Sequence, residues 1–234
     1  MIRWLMASPG PALDKKNFLC AAEAKEGQRY RHPGRYRQWL LGRAAAKVLL
    51  NKHTQATGLA ELLPGSIHIQ RVDTGWPRPR YVEGGDIPVS LSISHTSDKA
   101  LCALCPKAEG TVGADIEEIA PRSKHLLEDF YTSGEREYLH TLEPDEQARA
   151  ATIVWCIKEA ALKARRTGFH ESATSVAVDS IDSTGAHTWK RARVILKDGT
   201  RPEAYWRLSA DRRMALAIVK INGKQPARRP DPSS

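Results

Sequence analysis

A chain of 234 residues, 41% hydrophobic and 27% charged, is long enough for one large domain or two small ones around a buried core. No apolar run approaches the ~20 residues of a membrane-spanning helix, and the apolar start, Met1 to Ala7, is too short for a secretion signal. The four cysteines, at 20, 102, 105 and 156, suggest no disulfide framework, which points to a reducing cytoplasm. The net charge of +9 is unevenly spread: residues 109–146 hold eleven of the twenty-seven acids against three bases, Arg122, Lys124 and Arg136. That pattern suits a cation held at an acidic centre, with positive flanks for anionic ligands.

Residues 1–30 show only a short amphipathic segment, about Asn17 to Lys25, to which the sequence assigns no role. A long helix is predicted from about Gly34 to Thr57, ended by Gly58, followed by strands over about 66–72, 89–94, 99–105 and 110–118. Pro77 and Pro79 fix an extended or turning segment around Gly75-Trp76-Pro77-Arg78. Val89 to Ile93 alternate and lead into Ser94-His95, where a histidine beside small hydroxyls can donate to a phosphate oxygen. Cys102 and Cys105 have metal-like spacing but no second pair, and their apolar setting reads as core thiols.

In Val112 to Glu117, alternation sends Val112, Ala114 and Ile116 to one side and Asp115 and Glu117 to the other. A short helix follows over Arg122–Phe130, and Thr132 and Glu135 form a capping box for the next. A second long helix starts at Pro144 and stops at Thr167-Gly168. On it Trp155, Glu159 and Leu162 share a face, with Lys158 and Lys163 at its margins. Asp115, Glu117 and Glu159 together supply three oxygen donors, enough for a hard divalent ion that keeps some waters for a phosphate-bearing substrate. Strands are predicted after it over about 174–181, 190–197, 203–210 and 212–220.

Helix-then-strands occurs twice, and Trp39-Leu-Leu-Gly-Arg43-Ala-Ala-Ala-Lys47 aligns with Trp155-Cys-Ile-Lys-Glu159-Ala-Ala-Leu-Lys163. The predicted fold class is α+β: two similar lobes, each a long helix on a small, mostly antiparallel sheet, related by a pseudo-twofold axis. The predicted divisions are 1–110, 111–221 and a disordered tail over 222–234, rich in Pro, Arg and Ser. In this alignment Arg43 faces Glu159, giving a cationic wall (Arg37, Arg43, Lys47) opposite an acidic one.

Gly113-Ala-Asp115-Ile-Glu117, followed by Trp155-x-x-Lys158-Glu159-Ala160-x-x-Lys163 and preceded by Ser92-Ile-Ser94-His95-Thr96, resembles the signature of the 4′-phosphopantetheinyl transferases. The length resembles the double-length, Sfp-type branch, and the likeness covers roughly residues 35 to 170. The resemblance implies transfer of 4′-phosphopantetheine from coenzyme A to a serine of an acidic apo acyl or peptidyl carrier protein, releasing adenosine 3′,5′-bisphosphate. It implies Mg²⁺, with Mn²⁺ as the alternative, on Asp115, Glu117 and Glu159. A duplicated chain has less need to oligomerise, so a monomer is expected, with neither nucleic acid nor membrane as a partner. Coenzyme A would contact Arg37, Arg43, Arg78, Ser94, His95, Lys158 and Lys163, with the nucleotide on the 1–110 side. Glu159, Lys163 and Asp115 would be catalytic, and Glu159 the base, with Glu135 as alternative. Trp76 stands where some members have Lys, so either Arg78 supplies the charge or Trp76 meets the adenine. A metal-dependent nuclease would also explain clustered acids and positive charge, but the acid-x-Lys pattern fails at Ile119. A nucleic-acid-binding module would need stacking segments or a finger or helix-turn-helix signature, and the chain shows none.

Overall fold

Two long helices, α2 (Pro33–Ala56) and α5 (Pro144–Arg165), each lie on a small antiparallel sheet. The computed structural model describes residues 1–10, 18–58, 61–72, 75–166, 171–179, 181 and 188–223. The first sheet has the order β1-β5-β4, from β1 (Arg3–Ala7), β4 (Val89–Thr96) and β5 (Lys99–Pro106). The second has the order β6-β11-β10-β8, from β6 (Gly110–Glu118), β8 (Lys190–Ala192), β10 (Glu203–Leu208) and β11 (Met214–Asn222). Two hairpin-like pairs complete the strands: β2 (Ile67–Arg71) with β3 (Pro77–Tyr81), and β7 (Val176–Val178) with β9 (Val194–Leu196). The short helices are α1 (Ala21–Gly27), α3 (Lys124–Phe130) and α4 (Ser133–His140).

Local sequence explains the helix ends. Both long helices carry proline in the first turn, where its missing N–H costs no bond. Asp145 and Glu146 complement the positive end of α5, and Lys163 and Arg165 its negative end. Thr132 and Glu135 form the predicted capping box at α4. The helix stop expected at Thr167-Gly168 lies outside the described residues; Arg166, in a left-handed conformation, already caps α5.

Strand alternation sorts the core into three layers. On β5, Ala100, Cys102 and Leu104 face α2, while Leu101, Ala103 and Cys105 face the other sheet. Being buried on both sides explains the unbroken apolar run, and all four cysteines are free and buried. On β6, Val112, Ala114 and Ile116 pack between the sheets as predicted, leaving Gly113, Asp115 and Glu117 on the side of α5. Gly113 lets that helix approach: a Cβ there would lie 1.9 Å from the Ala160 carbonyl oxygen. Strands β4 and β6 meet through side chains. Ser90 Oγ accepts from Val112 N at 3.0 Å, Ser92 Oγ accepts from Ala114 N at 2.9 Å, and Ser94 Oγ donates to Asp115 Oδ1 at 2.7 Å.

The elements repeat, and so does one buried device. Glu23, in the first turn of α1, accepts from Cys20 N at 3.1 Å and from Ile69 N of β2 at 3.0 Å. Lys47 of α2 pairs with it and donates to the Pro64 carbonyl at 2.9 Å. In the second half Glu135 of α4 accepts from Thr132 N and from Val178 N of β7, each at 2.8 Å. Lys158 of α5 lies 2.8 Å from Glu135 and donates to the Ala173 carbonyl at 3.0 Å. Pro64 and Ala173 each open a short 3₁₀ turn before the strand concerned. The duplication therefore pairs Lys47 with Lys158, not with Lys163. The alignment of Trp39–Lys47 with Trp155–Lys163 is out of register, because matching alanines do not fix helix phase whereas a buried ion pair does.

Three further differences concern strands. β1, absent from the sequence reading, is short and lies at the sheet's edge. The Pro77–Pro79 segment is a strand, possible because β2 is the one strand it pairs with among the described residues, its other side carrying just the isolated Arg80–Asp86 bridge. The stretch 190–197 splits at Arg193 into β8 and β9, which join different sheets. Finally, the Met1 amine pairs with Glu109, Lys220 Nζ lies 3.2 Å from the same carboxylate, and Gly223 N donates to the Glu109 carbonyl at 3.2 Å.

Candidate active site

β6 and α5 supply the centre. Lys163 Nζ donates to Asp115 Oδ1 at 2.6 Å and to Ser94 Oγ at 3.1 Å, so β4, β6 and α5 meet at one carboxylate. Burial alone would pull the Lys163 pKa down, but the Asp115 charge and hydrogen bond, with Glu159 behind them, raise it. Asp115 is buried, and its second oxygen, Oδ2, has no hydrogen-bond partner. Glu117 and Glu159 are half-buried, and burial first, then the Asp115 charge, pushes both carboxyl groups above their ordinary range. Arg122 and Lys163 lower the Glu117 pKa and Glu159 raises it.

Among the described residues no three acids, histidines or cysteines stand ready as an ion-holding cluster, and the Lys163 ammonium rests on Asp115. The donor set nevertheless fits a hard divalent cation. A buried carboxylate oxygen lacks a partner, and burial, with the Asp115 charge behind it, pushes two neighbouring carboxyl groups toward protonation, a penalty a cation would relieve.

Two cavities adjoin this centre. The first, about 240 Å³, is lined by Glu26, Tyr30, Trp39, Gly42, Arg43, Arg71, Gly75, Pro77, Ile93 and His95. Arg43 is 7% exposed, sits 5.2 Å over the Trp39 ring, and has its Nε within 3.8 Å of Glu23. His95 stands at the cavity mouth, where the surrounding protein and then Lys163 hold its imidazole below the usual range, favouring the neutral ring. The second cavity, about 670 Å³, is lined both by polar residues, Ser92, Glu159, Lys163 and Arg71 among them, and by apolar ones that include Phe130, Trp155 and Leu162. Phe130 meets Trp155 edge-on, with centroids 5.4 Å apart.

Several predicted site residues lie elsewhere. Lys158 does not reach the cleft: it is 0% exposed, and Glu135 and the carbonyls of Ala173 and Val176 take its ammonium. Burial lowers its pKa and Glu135 opposes that. The same pair removes Glu135 as the alternative base. Lys47 is likewise buried, on Glu23, and forms no cationic wall. Arg78 turns to Asp86, holding both carboxylate oxygens at 2.6–3.1 Å, and lines neither cavity. Arg37 is exposed on α2 and also lines neither. Sequence reasoning missed Arg71, which borders both cavities, and Arg166, which borders the second. Nothing in their local pattern distinguishes them from other strand-end and helix-end arginines. The core reading of Cys102 and Cys105 agrees with their burial, which pushes the Cys102 thiol up to about 12.

Comparison with known proteins gives the same direction. Residues 111–219, which contain β6, α5 and all three acids, match the profile of the 4′-phosphopantetheinyl transferase superfamily. The 4′-phosphopantetheinyl transferase AcpT of Escherichia coli K12 is 31% identical over 176 residues, spanning 74% of this chain and 77% of that one. AcpT of Salmonella typhimurium is 29% identical over 145 residues, 58% of this chain and 71% of its own. Among solved structures, the holo-[acyl-carrier-protein] synthase AcpS of Thermotoga maritima aligns with 49% of this chain and 64% of its own at 21% identity and a TM-score of 0.35, too slight a likeness to argue from. With the Escherichia coli AcpT 31% identical over 74% of this chain, and with the matched segment carrying the carboxylate–lysine centre, the chain belongs to the 4′-phosphopantetheinyl transferase superfamily.

Proposed function

We propose that this protein moves the 4′-phosphopantetheine arm of coenzyme A onto a serine hydroxyl of an apo carrier protein, and that it does so with Mg²⁺. The observation that carries the reading is the contact of Lys163 with Asp115, with Glu159 on the same cavity wall and a buried carboxylate oxygen left unbonded. Asp115, Glu117 and Glu159 would hold the ion, which when bound supplies charge stabilisation at the pyrophosphate. The chain's own groups do the rest. Ser94 fixes Asp115, and Lys163, on the wall of the larger cavity, offers a cation to the phosphate oxygens.

Arg43, Arg71 and a neutral His95 give the smaller cavity donors for the nucleotide end, and the larger cavity takes the arm. The serine oxygen attacks the β-phosphorus, the bond to the adenosine 3′,5′-bisphosphate oxygen breaks, and the hydroxyl proton passes to Glu159. The repeated helix-and-sheet arrangement supports the double-length branch of the family and a monomer. Acidic carriers suit the basic flanks.

Intact-mass analysis tests the reading. Several apo carriers are incubated with coenzyme A, Mg²⁺ and the protein. The result expected is the mass increase of one phosphopantetheine on at least one carrier, abolished by chelation and nearly abolished by Asp115→Ala and Glu159→Ala. Full transfer by a correctly folded Glu159→Ala variant would remove Glu159 from the mechanism.

A further inference from the structure

Trp76 and Arg166 come from opposite sides of the cleft and meet across it. Arg166 caps α5 with φ +59°, a left-handed backbone that L side chains disfavour and glycine adopts freely. Its guanidinium lies 4.1 Å from the centre of the Trp76 ring. Its Nη2 donates at 2.7 Å to Ser90 Oγ, on a fully buried residue of β4 in the β4–β6 seam. Arg166 thus ties three elements together: the end of α5, strand β4, and the segment before β3. That last segment divides the cleft, since Gly75 and Pro77 border both cavities while Trp76 faces only the larger.

We propose that Trp76 and Arg166 are a positioning pair, a clasp that fixes segment 75–77 so that one two-part substrate spans both cavities. The inference rests on the coenzyme A reading above and adds to it which residues hold the groove in shape. A cation stacked on a partly desolvated indole is held by attraction to the ring face and by packing, so the pair resists the opening of the segment. Among the described residues no other interaction of Trp76 ties segment 75–77 to α5, so without the clasp binding must order the segment first. That cost falls on substrate affinity more than on the chemical step.

The test is steady-state transfer kinetics with coenzyme A on wild type, Trp76→Ala, Trp76→Phe, Arg166→Gly and Arg166→Lys, with Tm measured for each. The KM for coenzyme A should rise about tenfold in Trp76→Ala and Arg166→Gly, with kcat changing far less. Glycine adopts φ +59° without strain, so Arg166→Gly removes the clasp while sparing the helix end. Its Tm should fall by little more than the lost bond to Ser90 accounts for, and it decides the matter if Trp76→Ala folds poorly. Trp76→Phe keeps a ring and should keep most of the affinity, whereas Arg166→Lys keeps charge without the planar stack and should resemble Arg166→Gly. An unchanged KM in Arg166→Gly, or a fall confined to kcat, overturns the clasp and leaves the transferase reading standing. A wild type that modifies no carrier overturns both.

Discussion

Lys163 Nζ and Asp115 Oδ1 stand 2.6 Å apart, joining α5 to β6 at the point where Ser94 of β4 also bonds the carboxylate. If the two act as one unit, their losses do not add. Asp115→Asn and Lys163→Ala should each lower kcat/KM for transfer by about 100-fold or more, within the range for removing a preorganised charge from a reacting phosphate. The double variant should be little worse than the poorer single. Additive losses in that cycle would show that the pair acts separately.

Glu159 should trade stability for function. Its carboxyl pKa, like that of Glu117, is raised by burial and by Asp115. A raised folded-state pKa means stability fully present below the unfolded value near 4.5 and lost as pH rises through the folded value. Metal-free protein should therefore lose Tm across that window. Glu159→Gln should blunt the loss and melt about 2–4 °C higher at pH 7, what ~1 kcal/mol gives in a chain this size, after allowance for solvent at a half-open site. Mg²⁺ should raise the wild-type Tm at pH 7 and the variant's less. Differential scanning fluorimetry over pH, with and without Mg²⁺, reads all three.

Gly113 should tolerate no side chain. With a Cβ 1.9 Å from the Ala160 oxygen, Gly113→Ala must push α5 off β6. A backbone clash of this kind should cost more than about 3 kcal/mol, beyond ordinary overpacking. The variant should show a lowered denaturation midpoint, and its residual folded fraction should transfer poorly, because Glu159 and Lys163 move with the helix.

Lys158 should matter to folding alone. Removing one partner of its buried pair, as in Lys158→Met, should destabilise by about 3–5 kcal/mol, and Lys158→Met with Glu135→Leu should recover little of that, because the Thr132 and Val178 N–H groups would lose the carboxylate they donate to. Transfer per folded molecule should stay near wild type in both. A selective loss of kcat in the double variant would return Lys158 to the chemistry.

The sequence carried the α5–β6 relationship well, because each part of it is periodic. Alternation on β6 put Asp115 and Glu117 on one side, and helical spacing put Trp155, Glu159 and Leu162 on one face. Phase settled less well at the margins. Lys158 and Lys163 flank that face equally in sequence, and only Glu135, which is brought in by α4, decides that the first turns inward. The same buried pair in the first half, Lys47 with Glu23, was legible only as another helix cation. Arg78 was misplaced because Asp86, eight residues on, captures it in a two-oxygen grip that spacing does not announce. Arg71 and Arg166 gain their positions from folding alone.

The meeting of the Met1 amine, Gly223 and Lys220 on Glu109 has a topological consequence. Residue 109 is also where the first set of elements hands over to β6. A short bridge from residue 223 to Met1, with the chain opened beside Glu109, would exchange the order of the halves and leave every strand neighbour in place. Such a circular permutant should keep its carboxylate centre, because Asp115, Glu117, Glu159 and Lys163 all travel together on the segment that would then come first.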